Sequence, residues 1–533
     1  MFCIIELIVA SFLLLFSNRN KNIYYSEQVE LTPKIKVPKP IGQGQYGTGW
    51  WLNKKDFNKV FSCNVIDRTK EYNQVCLKSA GIVTHFERDG NLDKIYYINE
   101  NLHTLLVGST GSGKSRSVII PTITMLGLAG ENMCISDVKG ELYLYTAENL
   151  KKIGYDVIAI DYINFLKSNK YNYLDIIINA VEQDNIPLAE SLINDLVNIL
   201  VEKNEKTEPI WKNGEMSVIK TAIMAVVLEN KGRREYQTLP NAYYFVAEMF
   251  KERNGKMPID EYVANNIQTS DFDINNFGNK KTAIYILLPD DRDTYHRLGS
   301  ILVKQLYTSL VEQSRQTGGE LKNRMNFILD EFANFTKIDS FQAMLTVARG
   351  RNIRFFLCLQ SLLSQIEEKY GKEGAQSIID NCMLMYLKTG NIETANKISE
   401  RLGTYTAQSY GESSNSNSKY DKSSSSMSLI SRKLLTPDEV LMIENPYVLV
   451  MVSGKPPAIT TIPDISKMYF NKINGMGSKE HNQKLRIDRE NARGERPIKP
   501  IKIWNIWDKQ TEEVPRMKVE VIQDNFRKNL KGK

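Results

Sequence analysis

The run "GSTGSGKS", residues 108–115, constrains this chain more than any other stretch. Three glycines in eight residues suit neither the inside of a helix nor that of a strand. The run is nevertheless preceded by the apolar "HTLLV" and followed by "KSRSVIIPTITML". A strand that turns through a glycine loop into a helix is the setting of G-x-x-x-x-G-K-[ST], and the match is complete. Gly108, Ser109, Thr110, Gly111, Ser112 and Gly113 offer backbone N–H groups that can converge on phosphate oxygens, with the positive end of the following helix behind them. Lys114 is placed to reach the β- and γ-phosphates, and the Ser115 hydroxyl to ligate Mg2+. A nucleoside triphosphate is the expected ligand.

Such a loop requires carboxylates on a neighbouring strand, and "MNFILDE" supplies them. Asp330 is expected to hold the Mg2+ and its water shell, and Glu331 to polarise the attacking water. Gln360 closes the next apolar run, "FFLCLQ", where its amide can bond both γ-phosphate and water, or simply cap the following helix. Arg349 and Arg351 end the helix before that strand, which puts them at the sheet edge opposite their own glycine loop. Arg349 either serves a neighbouring subunit's nucleotide in trans, as an arginine finger, or caps a helix end. No N-K-x-D is present, since "GNKKT" and "SNKYN" lack the aspartate, and no L-S-G-G-Q. Both absences argue against a GTPase or an ABC-type pump.

The surrounding pattern is that of a parallel sheet. "NMCISD" (132–137), "YDVIAID" (155–161), "KTAIYILLP" (281–289), "RMNFILDE" (324–331), "IRFFLCLQ" (353–360) and "MLMYLKTG" (383–390) are strand-like and alternate with helical stretches. Between the two halves, over residues 176–275, helical periodicity replaces the β signal: Leu188, Leu192, Leu196 and Leu200 fall at four-residue spacing. An all-helical insertion in one α/β domain is the expectation. "IGQGQYGTGWW" matches G-x-G-x-x-G at Gly42, Gly44 and Gly47 but lacks the strand and helix of a dinucleotide fingerprint, and is read as a glycine loop with tryptophans to pack. Residues 409–431 hold 11 serines and are read as a mobile loop.

Charge and cysteine usage bound the rest. Against 69 Lys and Arg stand 62 Asp and Glu, and residues 466–533 alone carry 17 against 9, so the surplus sits in a basic C-terminal tail. That tail is either a handle for nucleic acid or anionic lipid or a solvated end. Six cysteines and four histidines show no metal-site spacing. At the N-terminus the apolar run Phe2–Phe16 carries Glu6 and is shorter than the ~20 residues of a bilayer span. With Arg19 and Lys21 after it, residues 1–20 read either as a short membrane anchor that leaves the remainder in the cytoplasm or as a buried core strand or helix.

Taken in order, "GSTGSGKSRSVIIP", "SDVKGELY", "LDEFANF", "VARGRNIRFFLCLQSLLSQIEEKYG" and "LLTPDEV" resemble the type IV secretion coupling proteins, the TraG/TraD family of conjugative DNA-transfer ATPases, over residues 44–463. The resemblance implies a RecA-like P-loop motor (residues 21–175 and 276–465), ATP and Mg2+ as cofactors, and a homo-hexamer at the cytoplasmic face of a bacterial inner membrane. It further implies delivery of a relaxase-bound single-stranded DNA to a type IV secretion channel. Lys114, Asp330, Glu331, Gln360 and Arg349 fall on the family's nucleotide, hydrolysis, sensor and finger positions. Two departures stand out: the family enters the membrane with two or more full spans, and Val138 replaces a common proline. A related septum-type or pilus-assembly motor, and a membrane receptor that docks relaxase or effector proteins with ATP as a switch and no pumping, remain as alternatives.

Overall fold

The computed structural model describes residues 27–71, 74–201, 209–249, 280–289, 293–362, 364–414, 423–496 and 502–504, with a few single positions between 271 and 277. The N-terminal apolar run lies outside the described residues. Among the described ones no helix is long and apolar enough to cross a membrane. The chain divides into two compact units, with boundaries at Asn169/Lys170, Ser270/Asp271 and Pro497/Ile498.

The larger unit opens with an antiparallel pair, β1 (Gln28–Thr32) and β2 (Ile35–Pro38). A three-stranded antiparallel sheet follows: β3 (Ser62–Asp67), β4 (Val83–Asp89) and β5 (Leu92–Tyr97), in the order β3-β5-β4. The main sheet is built from β6 (His103–Val107), β7 (Asn132–Asp137), β8 (Asp156–Asp161), β9 (Thr282–Leu287), β10 (Met325–Leu329), β11 (Ile353–Leu359), β12 (Cys382–Tyr386), β15 (Tyr447–Met451) and β16 (Ala458–Thr461). Its order is β16-β15-β12-β6-β11-β10-β7-β9-β8, so strands from before and after the helical insertion share one sheet. The seven strands from β12 to β8 are parallel, and β15 and β16 close one edge antiparallel. Strands β6, β7, β9, β10, β11 and β12 are buried along their whole length, which is why they read as continuous apolar runs without alternation.

The helices are α1 (Ile120–Leu128), α2 (Glu141–Lys152), α3 (Asp175–Glu182), α4 (Ile186–Leu200), α5 (Pro209–Glu229), α6 (Leu239–Met249), α7 (Asp293–Gln316), α8 (Phe341–Arg349), α9 (Ser364–Asp380), α10 (Ile392–Leu402), α11 (Pro437–Leu441), α12 (Asn471–Asn474) and α13 (Lys479–Asn491). The glycine loop does not pass straight into α1: Lys114–Ile119 winds as a π-helical turn. Pro121 accounts for this. It has no N–H for the Ser117 carbonyl and its ring crowds that oxygen, so the helix loosens ahead of it and the Ile120 N–H reaches back to Ser115.

The smaller unit contains α3 to α6, and its borders fall at 170 and 270 where periodicity suggested 176 and 275. In α4 the inward stripe is Ala189, Leu192, Ile193, Leu196 and Val197, while Leu188, in the first turn, is exposed. Trp504, from the chain's C-terminal portion, belongs to this unit, stacking on Phe245 at 5.9 Å and donating its backbone N–H to Asn241 Oδ1 at 2.9 Å.

Two expectations change. The serine-rich stretch is paired: β13 (Thr404–Ser414) and β14 (Ser423–Lys433) form an antiparallel ribbon, with residues 415–422 outside the described residues. The ladder is made by backbone groups, which serine supplies as well as any residue, so the composition reads as that of a loop. The segment from residue 466 is not a free tail as far as residue 496. Arg486 pairs with Glu141, Arg493 with Asp161 at 2.8 Å, and Arg489 donates to the carbonyls of Leu144 and Tyr145. Three of its basic residues thus meet acids and carbonyls of α2 and β8.

The glycine loop 42–50 has a structural task. Its backbone clasps the base of the ribbon, Gly49 N–H donating to Thr404 O and Thr406 N–H to Gly47 O, each at 3.1 Å, while Trp50 meets Tyr405 edge-on at 5.1 Å. A Cβ on Gly47 would stand 2.4 Å from the Thr404 carbonyl oxygen. Five described cysteines are free thiols.

Candidate nucleotide site

The site is assembled at the carboxyl ends of three adjacent strands. Val107 ends β6, and the chain is pinned on both sides as it leaves: Gly108 N–H donates to Leu359 O of β11 at 3.0 Å, and Ser109 N–H to Lys388 O beyond β12 at 2.8 Å. Gly113 turns the chain into the helix at φ 88°, and a Cβ there would lie 2.6 Å from the Asn445 amide nitrogen. Only glycine fits both demands. Lys114, largely packed away, turns its ammonium onto the Gly108 carbonyl. Burial holds its pKa below the ordinary lysine range, partly offset by Cys358, Asp330 and Glu331. The Ser112 hydroxyl is buried with no hydrogen-bond partner inside the loop. A lysine bonded to its own loop and an orphaned hydroxyl both suit a site made to close around an anion.

Asp330 follows β10 directly and Glu331 comes next. Burial, then the Glu331 charge, pushes the Asp330 carboxyl up to about 6. The Ser136 hydroxyl bonds the Asp330 carbonyl at 2.9 Å. Glu331 sits in the left-handed region at φ 49°, its N–H donated to Asp330 Oδ1 at 3.1 Å and its Oε2 accepting from Asn334 Nδ2 at 3.0 Å. Gln360 lies one residue past β11, beside the start of the glycine loop. The Ser115 hydroxyl and the Asp330 carboxylate are hard oxygen donors of the kind Mg2+ takes. Among the described residues no group of three or more His, Cys, Asp or Glu could hold a metal alone. Such a donor pair fits an ion that brings most of its ligands as phosphate and water.

The two arginines separate. Arg351 donates to the Ser314 hydroxyl of α7 at 2.7 Å and is tied within its own chain. Arg349 is exposed at the end of α8, at the amino-terminal edge of the sheet, away from its own glycine loop.

Three site residues escaped the sequence reading. Asp137 ends β7 next to Asp330, accepts the Tyr143 N–H at 2.8 Å and is pushed up to about 7 by burial. Its signal was an acid closing the apolar run "NMCISD". Asn445 bonds the Ser117 hydroxyl at 3.3 Å, and Asp464 receives the Arg116 guanidinium in a two-pronged bond with Nη2 to Oδ1 at 2.8 Å. Both steady the first turn after the loop from more than 300 residues away, and no local pattern marks them.

Protein VirD4 of Rhizobium radiobacter is 25% identical over 392 residues, which cover 67% of this chain and 56% of that protein. The chain thus spans somewhat over half the length of that relative. Conjugal transfer protein TraG of Escherichia coli is 22% identical over 468 residues, 75% of this chain and 72% of that protein. The solved plasmid coupling protein TrwB, in complex with a non-hydrolysable ATP analogue, matches with a TM-score of 0.52 at 16% identity, over 80% of this chain and 95% of that one. The likeness shows a shared α/β fold. A family model described as type IV secretory system conjugative DNA transfer matches residues 51–258 and 256–484, and with it the glycine loop, both carboxylates and Gln360; the chain belongs to that family.

Proposed function

We propose that this protein is an ATP-hydrolysing coupling protein that receives a relaxase-bound DNA and drives the single strand towards a type IV secretion channel. It would act as a homo-hexamer at the cytoplasmic face of a bacterial membrane. The observation that carries the reading is the convergence of Lys114 and Ser115, Asp330 and Glu331, and Gln360 at the same ends of the adjacent strands β6, β10 and β11. Family membership supplies the DNA-transfer setting.

In this reading the glycine-loop amides and Lys114 neutralise the β- and γ-phosphates, replacing the Lys114 bond to Gly108 O. Ser115 and Asp330 hold Mg2+, which when bound offsets charge developing on the phosphates. Glu331 orients the attacking water and accepts its proton, while Gln360 bonds the same water and the γ-phosphate. Arg349, exposed and remote from its own loop, completes the site of a neighbour. The helical unit carries none of these residues and is free to meet cargo.

Lys114→Ala should abolish turnover, and Glu331→Gln should keep nucleotide binding while lowering kcat by about 100-fold or more. Fluorescent-analogue binding and phosphate release, with and without single-stranded DNA, check both. Normal turnover in either variant removes the site assignment, and turnover indifferent to DNA removes the motor.

A further inference from the structure

The helix after Gln360 touches more than its own strand. α9 is broken at Gly371, whose φ of 71° and ψ of 169° are open essentially to glycine alone, so Ser364–Tyr370 is a two-turn unit detached from the rest. One end of that unit holds the sensor: Gln365 Oε1 accepts the backbone N–H groups of Gln360 and Ser361, at 3.3 and 3.2 Å. The other end holds the loop behind Glu331. The Lys369 ammonium donates to the carbonyls of both Ala333 and Phe335, and the Tyr370 hydroxyl accepts the Ile338 N–H at 3.2 Å. Gln365 and Lys369 are four residues apart and so share a helix face. The Tyr370 ring lies over Phe332, the residue after Glu331, with centroids 6.4 Å apart.

Glu331 has reason to need such support. A left-handed backbone at a residue with a Cβ is strained and persists only where the surroundings impose it. Locally, Asp330 takes its N–H and Asn334 takes its carbonyl and one carboxylate oxygen. Asn334 itself sits in the short turn Phe332–Asn334, and Lys369 grips the carbonyls inside and just beyond that turn. Gln360 is thereby joined, through Gln365 and Lys369, to the turn that follows Glu331.

We propose that Ser364–Tyr370 is a bracket that sets Gln360 and Glu331 together, so that Gln365, Lys369 and Asn334 are positioning residues for hydrolysis. The proposal rests on the reading of Glu331 as base and Gln360 as sensor.

The test is steady-state turnover and nucleotide affinity of the full chain. Lys369→Met should lower kcat by about 100-fold, the scale of an ångström-sized misplacement, and leave the affinity for a fluorescent ATP analogue within about threefold. Lys369→Arg should recover most of the loss, and Gln365→Leu should show a smaller loss of the same kind. In a Glu331→Gln background the Lys369→Met effect should shrink to under about threefold, because no base remains to be aimed. Wild-type kcat in Lys369→Met, an equal loss of nucleotide affinity, or an undiminished effect in the Glu331→Gln background each overturns the bracket. If Lys369→Met does not fold, Gln365→Leu decides by the same criteria. Normal turnover of Glu331→Gln alone instead removes the base assignment, and is thereby told apart.

Discussion

His103, the first residue of β6, shows how a single side chain can hold the nucleotide strand in place. Its Nε2–H donates to the Leu345 carbonyl of α8 at 2.7 Å, and its Nδ1 accepts the Phe355 N–H of β11 at 3.1 Å. Both nitrogens are used only by the neutral ring, and burial pushes its pKa down to about 4. In the unfolded chain the ring takes up a proton near pH 6.5. The unfolded state therefore binds more protons below that value, and stability present above it is lost as pH falls from about 6.5 to about 4. The shift amounts to on the order of 3 kcal/mol. Urea unfolding across that range should show the decline, and His103→Asn should flatten it. The sequence held this histidine only as one of four scattered ones, since its partners lie 242 and 252 positions downstream. That Lys114, Ser115, Asp330, Glu331 and Gln360 meet at the same ends of adjacent strands was legible because each stands beside a contiguous apolar run.

Among the elements, the buried parallel strands were the most legible, because burial on both faces writes them as unbroken apolar runs. "HTLLV" and "NMCISD" match β6 and β7 residue for residue. The ribbon β13–β14 was illegible for the opposite reason: its strands are stabilised by their ladder and by the clasp at residues 42–50, neither of which composition reports. Gly47 is the tightest point of that clasp. Gly47→Ala adds a Cβ 2.4 Å from the Thr404 oxygen on a backbone at φ 136°, and should loosen the base of the ribbon at a cost of about 1–3 kcal/mol. Limited proteolysis should then cut within 404–433 sooner, with ATP affinity unchanged. A cleavage pattern identical to wild type would mean that the ladder alone holds the ribbon.

For the molecule as a whole, the exposed Arg349 and its distance from the chain's own glycine loop predict that activity belongs to pairs of subunits. Arg349→Ala should lower kcat by about 1,000-fold, the low end for an arginine finger. Mixed with Lys114→Ala subunits it should regain activity, with the peak at intermediate ratios, because an intact Arg349 then faces an intact loop. Phosphate release over a mixing series, with mixed assembly confirmed by differently tagged subunits, checks this; a flat baseline would place Arg349 in a cis or structural role. The helices α3 to α6 were readable from the sequence as a change of period, yet the docking of residues 466–496 was not, since a basic stretch looks the same whether it faces water or an acidic partner. The arrangement of β6 between β11 and β12 also has a consequence for biosynthesis. The strand that carries the glycine loop is translated early, but its two neighbours, Asn445 and Asp464 emerge from the ribosome some 250 to 350 residues later. A nascent chain shorter than that displays the loop sequence without its walls. The contacts that fix the loop are of long range and form slowly, so the capacity to grip a nucleotide arises as a late step of synthesis, once nearly the entire larger unit has been made.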